Sequence, residues 1–74
     1  MSSMIEIYYA APFDGQRELA IVAALAPQGG KLTHREADAK NVTLTFEFKR
    51  RVDAERGVLG LSKSGLHVEG PSDY

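Results

Sequence analysis

Residues 42–49 read V-T-L-T-F-E-F-K, from Val42 to Lys49. Val42, Leu44, Phe46 and Phe48 fall on one side of an extended chain, and Thr43, Thr45, Glu47 and Lys49 on the other. A period of two, carried by β-branched and aromatic residues, marks a half-buried strand with its apolar side inward. Two phenylalanines on that side make it the natural centre of a core, and the remaining elements can be placed around it.

Towards the N-terminus, Ile5, Ile7 and Tyr9 alternate with Glu6 and Tyr8, giving a first strand over about Met4 to Ala10. Pro12 ends it. Asp14 then suits a helix N-cap, and Glu18 in the first turn favours the positive end of the helix dipole. Leu19, Val22, Ala23 and Ala26 recur at helical spacing, widened by Ile21 and Leu25, so a helix should run to about Ala26. Pro27 and Gly29-Gly30 stop it.

Lys31 to Ala37 has two readings. Leu32 is its only large apolar residue, which fits a polar edge strand protected by charge against pairing with other chains. Thr33-His34-Arg35-Glu36 also matches a helix capping box, but no apolar stripe follows it for a helix to bury. The strand is preferred and the short helix stays open. Past Val42 to Lys49, Asp53 reads as the cap of a second helix whose face holds Ala54, Val58 and Leu61. Gly57 and Gly60 weaken that helix or let it approach the sheet closely. Gly65 closes it, Leu66 to Glu69 alternates as a last strand, Gly70-Pro71 stops that strand, and residues 71–74 form a tail.

The order β-α-β-β-α-β over a single domain spanning 1–74 predicts an α+β fold. It is the ferredoxin-like two-layer sandwich, a four-stranded sheet with two helices on one face. Strands one and three should be central, and strands two and four should be edges. A chain of this size buries only roughly 60% of its unfolded surface on folding. A second copy could therefore add usefully to its stability.

Composition narrows the function. Hydrophobic residues make up 43% and charged residues 26%, with a net charge of −1. A nucleic-acid binder usually carries a basic excess. The face left without helices should hold Glu6, Tyr8, Thr43, Thr45, Glu47, Lys49, His67 and Glu69. Ferredoxin-like RNA binders stack bases on aromatics there, whereas Phe46 and Phe48 point to the core. No nucleic-acid partner is expected. With no cysteine there is no disulfide, thiolate metal site or cysteine nucleophile. Met1-Ser2-Ser3-Met4 does not read as a signal peptide, and no apolar run approaches a membrane span, so no membrane association and a cytoplasmic location are expected.

No catalytic motif is present, no nucleophile accompanies His34 or His67, and the chain reads as a non-enzyme without cofactor. His67 and Glu69, two apart on one strand, could meet Glu6 as nitrogen and oxygen donors to a divalent ion. An ordinary solvated His–Glu contact is the preferred reading, so no metal site is assigned. Lys49, Arg50, Arg51 and Arg56 form a small basic patch, read as a solvated strand end. The face carrying Tyr8, Thr45, Glu47, His67 and Glu69 is the candidate partner surface. The expected function is an interaction or regulatory domain that acts as a homodimer or through a protein partner.

Pro12 through Gly15, then Leu19, Ala23 and Leu25, then Gly29-Gly30, and the ending Gly65-Leu66-His67-Val68 together resemble an ACT-type domain, a family of small-molecule-sensing ferredoxin-like modules. Gln16 departs from that pattern, since family members often carry an apolar residue after the glycine. The resemblance implies a site for an amino acid or an anion lined by Asp14, Gly15 and Gln16 at a dimer interface. It names neither the ligand nor the biological process.

Overall fold

The computed structural model describes residues 2–73, with side chains through Ser72. Met1, and Tyr74 of the expected tail, lie outside the described residues. Four strands and two helices follow in the order β1 (Ser3–Ala10), α1 (Gly15–Leu25), β2 (Lys31–Ala37), β3 (Asn41–Phe48), α2 (Arg51–Leu61) and β4 (His67–Asp73). A short 3-10 turn over Ala26–Gln28 follows α1. The sheet order is β2-β3-β1-β4 and every neighbouring pair is antiparallel, so β1 and β3 are central. This is an α+β fold.

The alternation in β1 and β3 is expressed without interruption. Ile5, Ile7, Tyr9, Val42, Leu44, Phe46 and Phe48 are buried, and their register places Ile5 opposite Phe46 and Ile7 opposite Leu44. Ile21 and Leu25 of α1 and Ala54 and Leu61 of α2 join the same cluster. Both helices therefore cover one side of the sheet. Leu66 and Val68 pack against the cluster only partly buried.

Lys31 to Ala37 forms the edge strand, because β3 offers partners to the backbone groups on its inner side while a helix there would have no face to bury. Asp38 shapes the turn into β3. Its Oδ1 accepts from the Lys40 and Asn41 amides, both at 2.7 Å. The Asn41 and Lys40 amides hold its carboxyl below the usual aspartate range.

Several sequence expectations are corrected. The inward stripe of α1 is Glu18, Ile21 and Leu25, with Val22 partly buried. Leu19, assigned to that stripe, is 68% exposed, and Ala23 and Ala26 are exposed as well. Asp53 does not cap α2. Arg50 holds the cap position, and its guanidinium donates to Asp53 in the first turn at 3.0 and 3.2 Å. This pair holds the Asp53 carboxyl below its ordinary value and neutralises part of the basic patch. The inward face of α2 is Ala54, Gly57 and Leu61, with the expected Val58 partly buried against the same core. A Cβ on Gly57 would lie 2.9 Å from Leu25 Cδ2 and 3.2 Å from Phe48 Cζ, so this glycine permits the close approach of α2. Gly60 faces open space and plays no such part.

The last strand does not stop at Gly70-Pro71 but continues to Asp73. Glu6 pairs with Glu69 and Met4 with Ser72, so Gly70 and Pro71 together stand opposite Ile5. An extra residue of this kind is a β-bulge, and an edge strand tolerates proline there because no ladder hydrogen bond is lost. β2 has a second bulge at Thr33, between the pairs Leu32–Phe46 and His34–Thr45.

Candidate functional site

The sheet side away from the helices can be read as rows from the register. Glu36, Thr43, Tyr8 and His67 form one row. His34, Thr45, Glu6 and Glu69 form the next, and Lys31, Glu47, Met4 and Ser72 the third. The strand parity that buries Phe46 brings these residues together. Among the candidate partner residues, Tyr8, His67 and Glu69 touch. The Tyr8 and His67 ring centroids lie 5.4 Å apart at 47°, and His67 Nε2 lies 2.9 Å from Glu69 Oε2. Thr45 lies two strands away in the row of Glu69, and Glu47 lies in the third row. Glu6, Glu36, Glu47 and Glu69 face Lys31 and two histidines, so the surface is acidic.

That charge acts on Tyr8. Its phenol is raised above the ordinary tyrosine value, first by partial burial and then by the Glu6 and Glu69 carboxylates, which oppose a second negative charge. A raised folded-state value means that the native protein holds its proton where the unfolded chain has lost it. The stabilisation is complete below the unfolded tyrosine value and disappears as pH rises through the folded value. Ultraviolet titration of the phenols will show Tyr8 ionising late, and Glu69→Gln will bring it back towards normal. An unshifted Tyr8 would remove the electrostatic picture of this face.

The chemistry available here is limited. Glu69 orients the His67 ring, but the nearby serines are committed to carbonyl groups at the end of α2. Ser62 Oγ donates to the Leu59 carbonyl at 2.8 Å, and Ser64 Oγ to that of Leu61 at 2.5 Å. No group of three His, Asp or Glu side chains among the described residues is placed to hold a metal ion. Nor is any helix among them long and apolar enough to cross a membrane.

The second candidate region is the loop between β1 and α1. Tyr9, Phe13, Asp14, Gly15, Gln16 and Leu19 line an open groove there, which brings the three expected ligand residues together. The Asp14 side chain caps α1 as expected: its Oδ1 accepts from the Gln16 and Arg17 amides at 3.0 and 3.1 Å. Those two amides are thus occupied from within the chain, and an anion would have to displace the carboxylate. The Asp14 amide donates to Tyr9 Oη at 3.0 Å, and the Arg17 guanidinium lies 5.4 Å from the Tyr9 ring centroid. Asp14→Ala should cost about 1 kcal/mol in urea denaturation, the usual value of an N-cap. An unchanged midpoint would show that the cap carries no weight.

One cluster beside this groove is not legible in the sequence. Glu18 is buried on the inner face of α1, and both its oxygens accept from Arg35 of β2, at 2.7 and 3.0 Å. The Arg35 guanidinium also lies 4.7 Å from the Phe13 ring centroid. The cluster ties the edge strand to the helix and the loop. Comparison with known protein families, with curated proteins and with solved structures finds no match for this chain.

Proposed function

We propose that this chain is a non-enzymatic interaction domain that works by self-association or by docking a protein partner. One observation carries the reading: from Leu19 to Pro27 the chain has no charged or polar side chain, yet Leu19, Ala20, Ala23, Ala24, Ala26 and Pro27 are exposed. A solvent-facing helix normally presents polar residues outward, and one that is apolar all round belongs inside a larger packed unit. The acidic sheet face with Tyr8, Thr45, Glu47, His67 and Glu69 offers a second docking surface. Sedimentation velocity over a wide concentration range, with a pull-down, tests this. The expected result is a concentration-dependent dimer or a retained partner, and a strict monomer that retains nothing would overturn it.

The element order, the central β1 and β3 and the single core shared by both helices support a ferredoxin-like reading of the fold. A second functional reading is an ACT-like sensor of an amino acid or small anion, favoured by the groove that gathers Asp14, Gly15 and Gln16. A ligand that binds only the folded state raises the melting temperature by mass action. Thermal shift against amino acids and small anions therefore separates the two readings.

A further inference from the structure

We infer that β2 pairs with β2 of a second copy, antiparallel about a two-fold axis between Thr33 and His34, with Lys31 of each copy opposite Glu36 of the other. This rests on the interaction-domain reading and names its partner and its surface.

β2 is an outer strand of the sheet, and every residue in it except Leu32 is exposed. A sheet edge carries unpaired backbone donors and acceptors; the charges on β2 deter indiscriminate pairing, and they are placed so that one antiparallel register of β2 on itself is attractive. The other edge is poorly suited to this. β4 carries Gly70 and Pro71 at its bulge, and proline has no N–H to offer.

The sequence of β2 selects the register. In the proposed pairing Lys31 meets Glu36, Leu32 meets Arg35, and Thr33 meets His34. Lys31 and Glu36 both lie on the open side of the sheet, opposite Glu47 and Thr43 of β3. Leu32 and Arg35 both lie on the helix side, opposite Phe46 and Leu44. Residues five apart on a regular strand point to opposite faces. The bulge at Thr33 is what returns Lys31 and Glu36 to the same face. With it, Lys31 and Glu36 share one face and Leu32 and Arg35 the other, so the members of each of these pairs meet on the same side, which a two-fold contact requires. Each dimer then has two opposite-charge pairs directly across the new ladder, the arrangement that favours strand association.

A second observation points to the same edge. Glu18 reaches Arg35 on β2, while Ala20 and Ala24 line a groove with Gly60 and Leu61 of α2. At about 100° per residue, Leu19 and Val22 lie beyond Glu18, on the flank of α1 nearest β2 and farthest from α2. Joining the two β2 edges brings these flanks of both copies alongside each other. The exposed Leu19 thereby gains an apolar neighbour from the second copy.

Sedimentation equilibrium tests the inference with wild type, Lys31→Glu, Glu36→Lys, an equimolar mixture of the two single variants, and the double variant. Both residues are exposed and on the side of the sheet away from the core, and circular dichroism will verify folding. Each single change replaces two attractive contacts with two repulsive ones and should weaken the dimer by roughly ten- to a hundred-fold. The mixture should recover a heterodimer and the double variant a homodimer, because each restores opposite charges across the ladder. Lys31 also faces Glu47 in its own chain, so recovery by mixing separates an intermolecular effect from a weakened edge. A dimer indifferent to all of these changes would overturn the inference and leave the interaction-domain reading standing. A wild-type protein that stays monomeric would also overturn it, and if it retained no partner that broader reading would fail with it.

Discussion

Phe46→Ala will destabilise the protein by about 3–5 kcal/mol, the range for removing a fully buried aromatic from a core. Phe46 has no exposed surface. It sits on a central strand between Ile5 of β1 and Leu32 of β2, so paired strands enclose it on both sides and the cluster shared with the helices covers its face. The void cannot collapse readily, because two hydrogen-bonded ladders fix the strand spacing. For a chain of 74 residues the usual per-residue range gives a total stability of roughly 4–11 kcal/mol. The variant will therefore be marginal, with a urea midpoint far below that of wild type. Thr45→Ala, one residue earlier on the opposite face and half-buried on the central strand, should cost no more than about 1 kcal/mol, the span of strand propensity. Equal effects at the two positions, or a loss at Phe46 well under 1 kcal/mol, would show that the register of β3 is wrong.

The same alternation explains what the sequence made legible. In β1 and β3 apolar and polar residues separate cleanly by parity, so the core side and the open side follow at once, and with them Tyr8, Thr45 and Glu47. The capping role of Asp14 follows from residue type and position alone. Other features depend on information that parity does not hold. α1 is apolar on nearly every side, so hydrophobic spacing cannot choose between Leu19 and Glu18 as the inward residue. The choice is made by Arg35, which gives Glu18 a partner at the edge of the core. Arg35 was itself hidden, because its side of the sheet depends on the bulge at Thr33. One signal was available: Glu18, Ile21 and Leu25 share the i, i+3, i+7 spacing of a buried stripe. An acid in such a stripe demands a basic partner. The start of α2 is ambiguous in the sequence for a related reason. Asp53 is a good cap by residue type, but an acid in the first turn serves the helix dipole equally well, and Arg50 binds it there.

Gly70→Ala should be the most damaging substitution outside the core, at roughly 2–4 kcal/mol from backbone strain and collision together. Gly70 adopts φ +107°, in the region that side chains disfavour, and a Cβ there would lie 2.7 Å from the Met4 carbonyl oxygen. The next nearest atoms, Ile5 Cα and the Ser72 amide nitrogen, are both at 3.3 Å. All three belong to the backbone, so no side chain can swing aside to make room. The variant must give up the bulge, and without it Ser72 cannot keep its place opposite Met4. The strand would then detach from Pro71 onward, or shift its register and move His67 away from Tyr8. Loss of the Tyr8–His67 ring contact, followed by NMR, distinguishes the shift from fraying. Gly60→Ala supplies the opposite sign. Its Cβ meets nothing within 4 Å, and alanine is favoured over glycine in a helix by up to about 1 kcal/mol, less in the last turn of α2 where Gly60 lies. Thermal unfolding of the two variants side by side should show one melting earlier and the other later than wild type. A Gly70→Ala protein as stable as wild type would remove the bulge, and with it the continuation of β4 to Asp73.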